Sequence, residues 1–383
     1  MNFNRTYRKA LFTACTALIL CISACGCSIH VNVPNIGYSI NKNTDDINSY
    51  RRNAKNGDAE AQYNLGDCYY YGIDTEQNLS AAVKWYRKAA EQGLKEAQFK
   101  LGCCYDFGEG VAENAQEAVK WYAKAAEQNE LTAQYNLGIC YYTDQAEEQN
   151  TDKAVKWWET AAENGLAKAQ TNLAFCYYEG RDKEKNYAKA AEWLEKAVDQ
   201  DNALAQVLLG YCYYTGRGVE QNYRKAAELY KKAAEQDNIF GYENLAECYE
   251  FGAGVKQNYE RAAEFYKLTA DSEDENAEEL IALSKYKLGC FYEHGLGVEP
   301  DKNKAADLYK ASFGILKKHA YDEDTDAATV YSTAECYEYG RGTAKDLKTA
   351  LRLYEKVVKD LSDEKIYAAK AEERIKALKN SVH

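Results

Sequence analysis

Cysteine and histidine are the side chains here most able to act as nucleophiles, redox groups or metal ligands. Six cysteines, Cys68, Cys104, Cys140, Cys176, Cys212 and Cys248, lie 36 residues apart each time, and a tyrosine follows each one. A zinc site would call for C-x-x-C pairs or a Cys/His cluster, and the sequence has neither. A disulfide needs Cα atoms within about 7 Å, whereas equivalent places on stacked helices are about 8–10 Å apart. Adjacent Cys103 and Cys104 point to different helix faces. The repeat thiols therefore read as compact apolar side chains. Of the four histidines, His30, His294, His319 and His383, His294 stands where Tyr71, Phe107 and Phe251 stand in other copies and reads as a surface residue. No phosphate-binding glycine loop, nucleophile elbow or pair of catalytic carboxylates survives once the recurring pattern is subtracted. The sequence predicts no catalytic residue, no metal and no cofactor.

The pattern that absorbs these residues is a helix pair. In Asn202–Asp237, Leu209, Gly210 and Tyr213 share one helical face with a glycine that permits close approach. Gly216 stops that helix, since glycine tolerates the left-handed C′ conformation. Asn222 caps the next one, as do Asn78, Asn114, Asn150, Asn186 and Asn258 in their copies. Ala226, Leu229, Tyr230, Ala233 and Ala234 then recur at helical spacing, with counterparts such as Trp85–Tyr86, Trp121–Tyr122 and Trp157–Trp158. Two further copies centre on Tyr292 and Tyr337 at stretched spacings of 43 and 45, with Asp301 and Asp346 as caps. One pair cannot bury such a face alone, but stacked pairs form a continuous core. The fold class is all-α: an α-solenoid of about eight helix-pair repeats with capping helices.

The run A-Q-x-x-L-G-x-x-Y-x-x-G-x-G-V…K-A-x-x-W-Y-x-K-A-A-E-x-G closely resembles the Sel1-like repeat (SLR), a relative of the tetratricopeptide repeat, over residues 59–360. The resemblance implies a right-handed superhelix of antiparallel helix pairs that acts as an adaptor or scaffold for other proteins. The copy at Tyr141 departs from it with Thr143, Asp144 and Ala146 in place of turn glycines, and the copy at Tyr337 has Thr333 at the core leucine. Cysteine-rich SLR proteins that resemble β-lactam hydrolases bridge two cysteines per repeat. The second cysteine is missing here, so the chain reads as no enzyme.

Residues 1–24 read as an export leader: Arg5, Arg8 and Lys9 precede an apolar stretch, Ala10 to Ile22, too short to span a bilayer comfortably. Ile22-Ser23-Ala24-Cys25 matches the bacterial lipobox, which implies lipidation at Cys25 and a membrane-anchored lipoprotein of the cell envelope, facing the periplasm or the cell surface. Residues 25–45 read as a flexible tether. Residues 46–58 read as an N-terminal capping helix, because Tyr50, Ala54 and Gly57 align with Tyr86, Ala90 and Gly93. Residues 361–383 read as a C-terminal cap whose apolar stripe is Ile366, Ala369, Ile375 and Leu378. The carboxylate-rich stretches 271–279 and 321–326 read as an extended helix pair with a solvated turn, or as a docking edge for a basic partner. Calcium is rejected, for neither stretch has the oxygen spacing and glycine turn of a calcium loop.

Stacked first helices line the concave face in repeats of this kind, so residues beside their core positions are the candidate binding site. The position after the anchoring tyrosine reads Tyr70, Asp106, Tyr142, Tyr178, Tyr214, Glu250, Glu293 and Glu338. This is either a binding stripe, aromatic then acidic, or packing across the repeat interface. Asn64, Asn136, Asn172 and Asn244, just before the core leucine, offer amides that could hold a peptide backbone. Net charge is −12, and removing Arg5, Arg8 and Lys9 with a leader that carries no acids leaves −15. Nucleic acid is thereby disfavoured as a ligand. The sequence points to an envelope scaffold with a protein partner. A regulator that sequesters a signalling protein, or a surface protein that binds a host factor or a glycan, stands as the alternative.

Overall fold

The computed structural model describes residues 47–143, 150–180, 183–322, 325–361 and 365–381. The leader, Cys25, the tether, Asp144 and Ala146 lie outside them. Among the described residues the elements are helices throughout, in two compact units that divide between Glu184 and Lys185. The N-terminal unit opens on α1 (Ile47–Lys55). It continues with the pairs α2 (Ala59–Tyr71) and α3 (Leu79–Glu91), α4 (Lys95–Phe107) and α5 (Ala115–Glu127), α6 (Leu131–Tyr142) and α7 (Thr151–Glu163), and then α8 (Ala167–Glu179). The C-terminal unit begins with α9 (Tyr187–Val198). Its pairs are α10 (Ala203–Thr215) and α11 (Tyr223–Ala234), α12 (Ile239–Phe251) and α13 (Tyr259–Ala270), α14 (Glu278–His294) and α15 (Lys302–His319), α16 (Ala327–Tyr339) and α17 (Leu347–Asp360). It ends on α18 (Lys365–Ser381).

The helix signals act as the sequence predicts. Asn78, Asn114, Asn150, Asn186, Asn222, Asn258, Asp301 and Asp346 each accept a backbone N–H of the first turn at 2.9–3.0 Å. Gly216 closes α10 at φ +71, and Gly72, Gly108, Gly180, Gly252, Gly295 and Gly340 do the same for their helices. Helix α6, which lacks the glycine, ends instead on Thr143 at φ −97, with its hydroxyl donating to the Ile139 carbonyl at 3.0 Å. Thr333 is fully buried and donates likewise to the Thr329 carbonyl at 2.7 Å, so a hydroxyl at the core-leucine position is satisfied within its own helix.

Each pair closes on one ring. Tyr86, Tyr122, Tyr230 and Tyr266 are wholly buried, and the ring of Tyr86 lies where a Cβ on Gly66 would fall, 2.6 Å away. Burying such a ring contributes roughly 2–3 kcal/mol. The second turn glycine performs the docking between repeats. A Cβ on Gly218 would stand 2.0 Å from the carbonyl oxygen of Tyr187, the first residue of α9, and Gly110 meets Leu79, the first residue of α3, in the same way. A chain of glutamines, buried on the first helices and exposed at the ends of the second, adds a polar seam. Gln98 Nε2 donates to the Ala90 carbonyl of the preceding pair at 3.1 Å, and Gln128 Nε2 donates to Gln98 Oε1 at 2.8 Å.

The stretched spacings have a geometric outcome. Helices α14 and α15, 17 and 18 residues long against 13 and 12 in the α12–α13 pair, extend the same end of one pair. His319 ties that end together, with Nε2 2.9 Å from Glu278 Oε1 and Nδ1 2.9 Å from Asp322 Oδ2. The next repeat has slid toward the extension. Gly342 rests not on the first residue of α15 but on the carbonyl of Tyr309, seven residues further along, or about 10 Å at the rise of an α-helix. Helix α18 packs with Ala368, Ala371 and Leu378 buried and Ile375 half-buried. Ala369, placed in that stripe by the sequence, is exposed, because the buried face runs one position earlier. The side chain of Ile366 lies outside the described residues.

Candidate interaction face

The position after the anchoring tyrosine is not an open stripe. Tyr142, Tyr178 and Tyr214 are buried, while Tyr70 is half-buried. Tyr142 packs on Trp158 with ring centroids 5.4 Å apart, Tyr214 sits edge-on to Tyr223 at 4.9 Å, and Tyr70 donates to Glu109 Oε2 at 2.6 Å. Where the position is acidic, it accepts the phenol of the same repeat's buried ring. Tyr122 donates to Asp106 (3.0 Å), Tyr266 to Glu250 (2.5 Å), Tyr309 to Glu293 (2.6 Å) and Tyr354 to Glu338 (2.8 Å). In the first repeat Tyr86 finds its carboxylate at Asp67 instead, at 2.6 Å. A buried phenol hydroxyl requires a partner, and that requirement explains a stripe that the sequence offered as binding or packing. Tyr142, Tyr178, Tyr214, Asp106 and Glu338 are packed away, while Tyr70, Glu250 and Glu293 stay half-buried.

Burial pushes the Asp106 carboxyl up to about 6, against the bond from Tyr122. Burial likewise raises the carboxyls of Glu250 and Asp67. Glu293 goes the other way: burial opposes its charge, but the Tyr309 hydroxyl and the Arg341 guanidinium hold it below the usual carboxylate range.

The amides divide. Asn64 and Asn136 are half-buried on the first-helix face, whereas Asn172 and Asn244 are buried. Asn244 Nδ2 donates to the Phe240 carbonyl of its own helix at 2.6 Å, while its Oδ1 and Asn172 Nδ2 lack hydrogen-bond partners among the described residues. Lys287 occupies the same place in its repeat. Its ammonium lies 3.2 Å from Glu243 and 2.5 Å from Glu247, with Tyr266 Oη at 3.2 Å. Arg341 donates to Tyr286 Oη at 2.8 Å and to Glu293 at 2.6 Å, and Arg374 of α18 pairs with Glu338. Sequence reasoning missed this buried ionic layer. Lysine at an asparagine position, the tenth residue of α14, was its only trace.

The side chains left in solvent sit one position further on. Tyr71 and Phe107 in the N-terminal unit, and Phe251 and Tyr339 in the C-terminal unit, end their first helices with 42%, 45%, 49% and 46% of their surface exposed. Lys100 donates to Tyr71 Oη at 2.8 Å, and Arg341 stands 4.8 Å over the Tyr339 ring. No group of three or more His, Cys, Asp or Glu side chains poised to hold a metal occurs among the described residues. The described cysteines are free thiols, and burial pushes Cys103 and Cys212 up to about 12.

Residues 59–94, 95–130, 131–166, 167–202, 203–238, 240–274, 282–312 and 327–356 match the Sel1 repeat model. A 32-residue stretch is 59% identical to the sel1-like repeat-containing protein L18 of Acanthamoeba polyphaga mimivirus, covering 8% of this chain and 6% of that protein's length. Among solved structures, c5321, a protective antigen present in uropathogenic Escherichia coli strains, displays an SLR fold. It is similar at 31% identity and a TM-score of 0.66, over 88% of this chain and 67% of that one. A Sel1 repeat protein from Oxalobacter formigenes is similar at 29% identity and a TM-score of 0.57, over 66% of this chain and 96% of its own. Repeats of this kind generally mediate protein–protein interaction. Matched by the repeat model over more than half of its length, this chain belongs to the Sel1 repeat family.

Proposed function

We propose that the protein is a non-enzymatic scaffold of a bacterial cell envelope, anchored by lipid at Cys25, which binds partner proteins through the first-helix ends. The observation that carries this reading is the recurrence of Tyr71, Phe107, Phe251 and Tyr339, each exposed at the same repeat position. Exposed aromatics supply rigid contact area at low entropic cost. The half-buried amide of Asn64 lies on the same helix as Tyr71, and that of Asn136 on α6, the first helix of the third repeat. A crosslinked pull-down from native membranes tests it. Wild type should recover a protein that the variants Tyr71→Ala/Phe107→Ala or Phe251→Ala/Tyr339→Ala lose while keeping full helical circular dichroism. Equal recovery by all three sinks the assignment of the face.

The anchor has its own test. Growth with an alkynyl fatty acid should label wild type and leave Cys25→Ser unlabelled, and label on both would remove Cys25 from the proposal. Display at the outer surface is a second reading, favoured by the likeness to the E. coli antigen. Protease digestion of intact cells separates the two, because only a surface-displayed chain is cut. A glycan partner is the remaining alternative, and retention on immobilised envelope polysaccharide would favour it.

A further inference from the structure

The second helices carry a lid over an absent ring. In the first, second and fourth repeats a lysine three residues after the helix tryptophan lies over its indole: Lys88 over Trp85 at 4.1 Å, Lys124 over Trp121 at 4.1 Å and Lys196 over Trp193 at 3.8 Å. The fifth repeat keeps the lysine, Lys232, but has Leu229 where the tryptophan belongs. A notch of about 270 Å³ opens there, floored by Val198, Leu209, Tyr213 and Leu229, with Lys232 on its rim. Leu209 and Tyr213 are the counterparts, three repeats on, of Leu101 and Tyr105, which belong to one buried cluster with Trp121. The notch is thus the seat of an indole, with its floor and its cationic lid in place and the ring removed.

We propose that this notch is a docking subsite for a tryptophan side chain presented by a partner protein. The template is internal. In the second repeat the same seat holds an indole that is 4% exposed, under a lysine, with its ring N–H donating to a rim carboxylate, Glu117, at 3.1 Å. In the fifth repeat the counterpart of Glu117 is Lys225, which also lines the notch, so the N–H would instead meet a carboxylate of Glu195, Asp199 or Glu228 on the same rim. Indole is the aromatic face a cation holds best, and a leucine side chain would leave the lid and the carboxylate rim unused. The subsite deepens the interaction reading given above and rests on it, since it names a side chain that a partner would insert.

N-acetyltryptophanamide is the probe, read by methyl NMR of the full chain with labelled valine and leucine. The expected result is a saturable shift of the Val198 and Leu209 methyls in wild type. In Leu229→Trp, which restores the residue other repeats carry and should melt no lower than wild type, the shift should disappear. Lys232→Met should weaken the probe roughly threefold to tenfold, the value of a cation over a ring, and N-acetylleucinamide should fail to saturate. No saturable shift in wild type up to the solubility limit, unchanged binding in Leu229→Trp, or equal binding of the leucine amide would each overturn the proposal. The probe requires no partner, so its failure and failure of the pull-down are separate results.

Discussion

Tyr122 and Asp106 join the two helices of one repeat through a single buried bond, Tyr122 Oη donating to Asp106 Oδ2 at 3.0 Å. The carboxyl is held up to about 6 by burial, above its value in an unfolded chain. An acid whose folded pKa is raised adds stability below the unfolded pKa and loses it as pH rises through the folded one. Stability should therefore fall between about pH 4 and pH 6, and Asp106→Asn should flatten that segment of the profile. At neutral pH the amide should match or exceed wild type by up to about 3 kcal/mol, since the shift is about two units. Tyr122→Phe should cost about 1–3 kcal/mol, more where the buried carboxyl is ionised than where it is protonated, because the carboxylate loses its donor. Urea titrations followed by circular dichroism at several pH values check both, and a wild-type slope retained in Asp106→Asn would contradict the argument.

The turn glycines divide into two classes that one substitution can tell apart. Gly218 combines φ +76 with a Cβ position 2.0 Å from the Tyr187 carbonyl, whereas Gly93, at φ +95, has nothing within 4 Å. Gly93→Ala should cost only the backbone strain, about 1–2 kcal/mol. Gly218→Ala should cost more than twice as much, since backbone must move to admit the methyl. Thermal melts of the two variants provide the comparison, and equal losses would show that the close approach is without consequence.

Lys287 holds two carboxylates that the fold has taken out of water. The side chains of Glu243 and Glu247 are 1% and 12% exposed, with the ammonium 3.2 and 2.5 Å away. Lys287→Met should destabilise by about 3–5 kcal/mol at neutral pH, the cost of an unpaired buried charge. Burial already raises the carboxyl of Glu243. The variant should accordingly regain stability as pH falls and that group takes a proton, whereas a pH-independent loss would point to packing alone.

Burial also protects the thiols. Cys68, Cys104, Cys140, Cys176, Cys212, Cys248 and Cys336 are buried and free. With the thiolate disfavoured by burial at Cys68, Cys104, Cys140, Cys212, Cys248 and Cys336, native protein at pH 8 should resist iodoacetamide at these positions. Denatured protein should be modified at all of them. Peptide mapping by mass spectrometry reads the difference, and fast native labelling of Cys212 would refute it.

The helix pairs, their caps and their close-packed glycines were legible in the sequence because each depends on residues within one repeat. Asn222 needs only the N–H groups that follow it, and Gly66 only the ring twenty residues on. Repetition also made Tyr70, Tyr142, Tyr178 and Tyr214 conspicuous, but it could not say which way they face. Both a core position and a contact position recur with the same period, and the next repeat position, at Tyr71 and Phe107, proved to be the exposed one. Lys287 and Arg341 were hidden for a different reason. Their partners come from neighbouring repeats, at separations such as the 44 residues between Lys287 and Glu243, where no local pattern connects them.

The seven-residue slip of Gly342 along α15 has a consequence for how long such an array can grow. Identical repeats in identical register behave as a one-dimensional lattice, in which any copy can template the next and the tandem can be lengthened or shortened by whole cells. The slip is a dislocation in that lattice. A copy of the fifth repeat spliced after the seventh would meet a surface displaced by two turns, with Tyr309 and the extended ends of α14 and α15 where a regular neighbour should begin. Whole-repeat duplications should therefore fit among the regular copies and fail at the seventh–eighth junction.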